Sequence, residues 1–192
     1  MFDVAVVALS ALLTLPIALV CAVLIKTTSD GPVIFRQERV GLGGTAFTLL
    51  KFRTMVHDAT PNPVFPTPAR VTAVGHWLRR LSFDELPQLI NVARREMSIV
   101  GPRPALAYQV ARYNDRQRGR LAARPGLTGL AQVKGRNGLM WSARIEFDLQ
   151  YVEHQSALLD AWLVVLTLLT LVRGRGVEGH PVDDPISSSP PT

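Results

Sequence analysis

From Val4 to Ile25 the chain carries no charged residue. A helix over that run would be about 33 Å long at about 1.5 Å per residue, enough to span the hydrocarbon of a bilayer. The apolar excess of the chain is concentrated near its two ends, so a membrane accounts for it better than a large interior core. Pro16 stands mid-run, removing one backbone donor and crowding the preceding turn, so it kinks or breaks a helix. Two arrangements follow: a kinked helix that crosses, or a broken one that enters and returns on the same side. Composition favours crossing. A cleaved signal peptide fits less well, because no basic stretch precedes the run and no small-residue cleavage site follows it.

All 21 Lys and Arg lie at or after Lys26, and the formal net charge is +6. The positive-inside tendency places the body of the chain on the cytoplasmic side. A basic surface there suits anionic lipid head groups, phosphorylated substrates or nucleic acid. The length of 192 residues suits one domain with attachments. The single cysteine, Cys21, can form no intrachain disulfide and reads as a packing residue.

Residues 32–54 read as two short strands around the glycine cluster Gly41–Gly44, a β-hairpin. Lys51 and Arg53, two apart on the second strand, project from one face. Four prolines make residues 57–70 a loop. Helical patterns cover 72–80, 84–95, 103–122 and 141–153. Leu158 to Val172 is apolar but short for a span, and suits the membrane surface. The Pro- and Ser-rich end reads as disordered. Gln132, Arg136 and Asn137 lie in a Gly-rich loop where backbone can approach a ligand. Arg144, Asp148, Tyr151 and Gln155 fall on one helical face opposite Ile145, Leu149 and Val152, with an Arg144–Asp148 ion pair expected. Trp77, Trp141 and Trp162 suit either the lipid interface or a core. The four histidines show no metal-ligand spacing.

The chemistry concentrates in LRRLSFDELPQL (78–89), where Asp84 and Glu85 stand side by side after two arginines. Ser82 with Glu85 matches a capping box, which would make the pair purely structural. Pro87 argues against Ser82 as the cap, since it would fall fifth in the helix; with Asp84 as cap it falls third, where no intrahelical donor is needed. The helix would then begin at the pair, at an end that favours anions. Neighbouring helical residues point apart, so the two carboxylates would divide labour, one attacking and one holding a metal. Arg79, Arg80 and Arg103, with Lys51 and Arg53, would supply positive charge for phosphates. Simple capping and phosphate chemistry both remain open on the residues alone.

Five ordered stretches, VIFRQERVGLGGTAFTLLKFRTM (33–55), RVTAVGHWLRRLSFDELPQLINV (70–92), MSIVGPRP (97–104), RPGLTGLAQVKGRN (124–137) and FDLQYVEHQSALLD (147–160), resemble the bacterial sugar transferases, the monotopic polyprenol-phosphate phosphoglycosyl transferases. The resemblance covers roughly residues 2–177. It implies transfer of a sugar 1-phosphate from a nucleoside diphosphate sugar, usually a UDP-sugar, to a polyprenyl phosphate such as undecaprenyl phosphate. UMP is released, and the step initiates glycan or exopolysaccharide assembly. It implies Asp84 as a nucleophile that forms a covalent phosphosugar intermediate. Glu85, with Asp84 beside it, would ligate Mg²⁺. Arg103 would contact phosphate or nucleotide; Lys51, Arg53, Arg79, Gln132, Arg136 and Asp148 would complete the substrate site. It further implies a re-entrant N-terminal helix broken at Pro16.

The expected fold is therefore α+β and mostly helical, with a small β-hairpin, a helix–break–helix membrane segment and interfacial amphipathic helices. The expected organisation is a membrane segment over 1–26, a catalytic domain with membrane-interface helices over 27–177, and a tail over 178–192. The expected location is the bacterial inner membrane, with the catalytic domain on its cytoplasmic face. The expected partners are a UDP-sugar, a polyprenyl phosphate and the membrane, and no nucleic acid; a homodimer is left open. The competing reading is a non-catalytic, membrane-tethered basic protein that binds nucleic acid or anionic lipid.

Overall fold

The apolar run forms one helix, α1 (Phe2–Thr28), in a computed structural model that describes residues 2–56, 70–135 and 139–173. The expected break at Pro16 is absent: helical structure is continuous across it. A single proline removes only one hydrogen bond from 27 residues of helix, and the hydroxyls nearby stay within the helical pattern. Ser10 Oγ donates to the Val7 carbonyl at 3.1 Å and Thr14 Oγ1 to the Ser10 carbonyl at 3.0 Å. The helix–break–helix expectation is thus corrected to one proline-bearing helix.

The chain divides into two compact units, Met1–Gln37 with Leu49–Ala93, and Glu38–Thr48 with Arg94–Thr192. In the first, only the C-terminal turns of α1 are packed. Ala18, Cys21, Ala22 and Ile25 recur at helical spacing and meet Phe52, Leu78, Phe83 and Leu86. Upstream, Leu9, Leu12, Leu13 and Leu15 are all more than two-thirds exposed. A leucine left in water forgoes about 2 kcal/mol of burial, so this face suits an apolar medium. α1 is long and apolar enough to cross a membrane.

The hairpin is as expected: β1 (Ile34–Val40) pairs with β2 (Ala46–Phe52) across the turn Leu42–Gly44. Gly43 and Gly44 take φ of 61° and 84° there, which other residues rarely adopt. α2 (Ala73–Arg80) starts at Thr72, whose hydroxyl accepts from the Gly75 amide at 2.9 Å. The helix expected over 84–95 is shorter: Phe83–Glu85 form a single 3₁₀ turn and α3 begins only at Gln88, running to Ala93. α3 is tied to β2 by the Leu50 amide, which donates to Asn91 Oδ1 at 3.1 Å.

The second unit contains a sheet with no counterpart among the sequence expectations. β3 (Ser98–Val100) and β4 (Gly126–Thr128) run parallel, with Ser98 opposite Gly126 and Val100 opposite Thr128. A Cβ on Gly126 would lie 2.1 Å from the Gly101 nitrogen, so the strands close only on glycine. The helix expected over 103–122 is fragmented into α4 (Ala107–Ala111), α5 (Asp115–Arg118) and a 3₁₀ turn, Gly119–Ala122. Pro102 and Pro104 hold the entry extended, and Asn114 starts α5 afresh by accepting from the Gln117 amide at 2.9 Å.

Next come α6 (Leu130–Gly135), α7 (Trp141–His154) and α8 (Ala157–Arg173). α7 packs Trp141, Ile145 and Leu149 with Tyr113 and Ala105. Three residues of its expected polar face are also buried, Arg144, Asp148 and Tyr151 each at most 5% exposed, while Gln155 past its end is exposed. α7 meets α6, the Gly119–Ala122 turn and α5, and turns Ser142, Glu146, Gln150 and Glu153 to solvent. α8 buries Leu163, and Thr167 shares a 2.6 Å hydroxyl contact with Thr128 of β4. Leu158, Trp162, Val165, Leu168 and Leu169 stay exposed on the other face. Of the three tryptophans, Trp141 is core while Trp77 and Trp162 are exposed.

Candidate active site

In the first unit, the carboxylate pair is positioned by the way α2 hangs from the end of β2. The Thr72 amide donates to the Thr54 carbonyl at 3.0 Å. Gly75 lies on the same carbonyl, where a Cβ would come within 2.1 Å of the oxygen. This seat brings Arg79 Nε to Thr54 Oγ1 at 2.9 Å. After α2 the chain reverses through Ser82, whose φ of 57° is left-handed. Such a conformation costs a non-glycine residue of order 1 kcal/mol. Ser82 makes no side-chain capping bond, so the capping-box reading fails. The reading with Asp84 as α-helical cap fails too, because α3 begins beyond the pair, at Gln88, immediately after Pro87.

The 3₁₀ turn changes where the two acids point. Lys51 Nζ lies 2.7 Å from Glu85 Oε1 and 3.9 Å from Asp84 Oδ2. One ammonium therefore serves both carboxylates, which the helical expectation had pointing apart. The side chains of Lys51, Asp84 and Glu85 are 20%, 14% and 19% exposed, sheltered yet open to a ligand. Burial pulls the Arg79 guanidinium below its ordinary pKa, while the charge of Asp84 pulls it back up. Arg53 stands differently from its expected neighbour. It is 7% exposed and donates through Nη2 to the Ser29 carbonyl at 2.8 Å and the Ser29 hydroxyl at 2.7 Å, bracing the end of α1.

Among the described residues no group of three or more His, Cys, Asp and Glu is arranged to hold a metal. Mg²⁺ does not ask for one. It keeps several waters and binds through one or two carboxylates plus substrate phosphates. Asp84 and Glu85, converging and partly open, fit that donor set.

In the second unit, Arg103 sits between Pro102 and Pro104, with its carbonyl accepting from Arg120 Nη2 at 2.9 Å. Asp148 is buried and pairs with Arg120, not with Arg144 as its spacing suggested. Arg144 instead sends Nε to the Leu139 carbonyl at 2.9 Å and lies over the Trp141 ring. Burial pushes the Asp148 carboxyl up to about 6, against the pull of Arg120, Arg144 and Arg103. Gln132 is in α6, both polar atoms of its amide buried without a partner among the described residues. Arg136 and Asn137 lie outside the described residues, as do His57, His180 and the 178–192 segment. Sequence reasoning missed Arg120, Thr54 and Ser29. Arg120 carries no local signal, because its partner is 28 positions away.

The bacterial sugar transferase profile matches residues 1–174. The chain belongs to the bacterial sugar transferase family. It is 39% identical over 155 residues to the uncharacterized sugar transferase EpsL of Bacillus subtilis (strain 168), covering 80% of this chain and 77% of that protein. It is 38% identical over 193 residues to the exopolysaccharide production protein ExoY of Rhizobium meliloti (strain 1021), covering 91% and 85%. It is 43% identical over 182 residues to a UDP-glucose:undecaprenyl-phosphate glucose-1-phosphate transferase of Caulobacter vibrioides, covering 88% and 68%. As a bacterial sugar transferase the chain is an enzyme, a phosphoglycosyl transferase. Membership gives no support to the non-catalytic, basic-tether reading.

Proposed function

We propose that this bacterial sugar transferase moves a sugar 1-phosphate from a UDP-sugar to a polyprenyl phosphate through a covalent intermediate on Asp84. The observation that carries the reading is the convergence of Asp84 and Glu85 on Lys51, with Arg79 alongside. A carboxylate such as that of an aspartate is ordinarily anionic at neutral pH and needs no base to attack phosphorus. The Asp84 oxygen forms a bond to the phosphorus that carries the sugar, and the bond from that phosphorus to the UMP oxygen breaks, releasing UMP. The polyprenyl phosphate oxygen then attacks the same phosphorus. The aspartyl oxygen leaves with its electron pair, and a polyprenyl diphosphate sugar is the product.

The obstacle is repulsion between a carboxylate and a diphosphate. Lys51 and Arg79 lower it by placing positive charge beside Asp84. Mg²⁺ held by Glu85 and Asp84 would further neutralise the diphosphate and the departing UMP. Arg103 would contact the donor's phosphates or nucleotide, and Gln132, Arg136 and Asp148 would complete its site. Arg53, braced on Ser29, would hold the strand that presents Lys51. α1 would sit in the inner membrane with the catalytic body on the cytoplasmic face, next to a lipid acceptor.

The test is UMP release by the detergent-solubilised chain given UDP-glucose, undecaprenyl phosphate and Mg²⁺, repeated with EDTA. Repeated turnover that needs all three, at most about one UMP per chain without the lipid, and loss of both in Asp84→Asn are expected. An active Asp84→Asn variant removes the mechanism.

A further inference from the structure

The Pro102-Arg103-Pro104 turn is held by two guanidinium groups, neither of which the reaction itself calls for. Arg120 Nη2 donates to the Arg103 carbonyl at 2.9 Å, and Arg39 Nη1 donates to the Pro104 carbonyl at 3.1 Å. Both carbonyls flanking Pro104 are thereby fixed. The proline rings at 102 and 104 already lock φ, and each residue before a proline is confined to extended backbone. What the rings leave undetermined is the orientation of the peptide planes, and with it the direction of the Arg103 side chain.

Arg120 is built to set that orientation. It is 2% exposed, and its guanidinium lies over the rings of Tyr113 and Trp141 at 5.6 and 5.5 Å. Nη1 donates to the Tyr113 hydroxyl, and Nη2 donates to Asp148 Oδ2 as well as to the Arg103 carbonyl. Arg103 and Arg120 line one small cavity, together with Gly41, Pro102, Pro104 and Pro125. A buried ion pair is a poor device for stability alone, since apolar residues of similar volume often serve as well. A planar fork with fixed donor directions is a good device for aiming one carbonyl.

We propose that Arg120, clamped by Asp148 and Tyr113, is a positioning residue that acts through Arg103, holding its backbone so that its side chain meets the donor's phosphates. This rests on the phosphoglycosyl transfer reading. It assigns Arg120 a role, and it moves Asp148 from contact with substrate to support behind Arg103.

The experiment measures UMP release and amide hydrogen exchange on the full chain in detergent, for Asp148→Asn and Arg120→Lys, each alone and combined with Arg103→Ala. A misplacement of about 1 Å costs on the order of 100-fold in rate. Each single variant should therefore lose about 10- to 100-fold in kcat/KM. Placed on Arg103→Ala, the same changes should cost less than about twofold, because the side chain they position is gone. Arg120→Lys should not rescue, since it keeps the charge and loses the fork. Exchange of the amides at 101, 103, 105 and 106 should rise in Asp148→Asn. Equal fold losses with and without the Arg103 side chain, or full activity in Arg120→Lys, would overturn the proposal. Should Asp148→Asn fail to fold, Tyr113→Phe removes one bond to the guanidinium and is read in the same two backgrounds with the same criteria. If the wild-type chain releases no UMP, the transfer reading fails instead, and unchanged exchange in the variants still decides against the clamp.

Discussion

Lys51 Nζ lies 2.7 Å from Glu85 Oε1 and 3.9 Å from Asp84 Oδ2, so a strand residue and a 3₁₀ turn 33 positions away share one charge cluster. Lys51→Met keeps the length of the side chain and removes that charge. UMP release should fall about 100-fold, the cost of losing one preorganised electrostatic group. The thermal midpoint should move by only a few degrees, because a partly open ion pair adds little to stability. Retained activity would separate Lys51 from the chemistry.

Gly75→Ala should be far more damaging than its chemistry suggests. The new Cβ would meet the Thr54 carbonyl oxygen at 2.1 Å and its carbon at 2.8 Å. Both are backbone atoms that the Thr72 amide holds in place, so the seat cannot relax without dropping α2 and Arg79 with it. A loss of about 3 kcal/mol or more is expected in denaturant titration. An unchanged midpoint would show that α2 does not depend on this contact.

Much of this architecture was legible beforehand. α2 and α7 announce themselves by their helical patterns, α8 by its apolar run, and the hairpin by its glycine cluster. The β3–β4 sheet was not legible, because two three-residue strands paired across a long crossover leave no alternation to read. The position of the carboxylates was half legible. Pro87 signalled a helix start nearby, but the left-handed Ser82 that forms the 3₁₀ turn is a tertiary outcome. The Arg144–Asp148 pairing failed for the same reason: helical spacing makes two residues neighbours, while packing against Trp141 and Leu139 decides what Arg144 touches.

α1 should behave as two helices in mutagenesis. Ile25 is 2% exposed and Leu13 is 72% exposed. Ile25→Ala should cost about 2–5 kcal/mol in detergent, and Leu13→Ala within about 0.5 kcal/mol. Comparable costs at both positions would mean that the N-terminal turns are packed on protein.

The pH dependence of stability should carry the signature of Asp148. Its carboxyl is raised from 3.8 to about 6, burial outweighing the guanidinium groups of Arg120, Arg144 and Arg103 that face it. Between those values the folded chain holds a proton that the unfolded chain releases. The stabilisation from Asp148 is therefore complete below about pH 4 and lost as the pH rises through about 6. Tyr113 shares Arg120 with Asp148 but is pushed above its ordinary pKa by burial, so it stays neutral over this range. Wild type should lose stability relative to Asp148→Asn across that window, measured as the difference in denaturation midpoint. A flat or rising difference would refute the assignment.

The most direct measurement is the intact mass of the chain after brief exposure to UDP-glucose and Mg²⁺ with no lipid acceptor. The account predicts a phosphosugar adduct that maps to Asp84, is absent from Asp84→Asn, and is discharged when undecaprenyl phosphate is added. An unmodified wild-type chain that still releases UMP once the acceptor is present would contradict it, because transfer would then proceed without a covalent step.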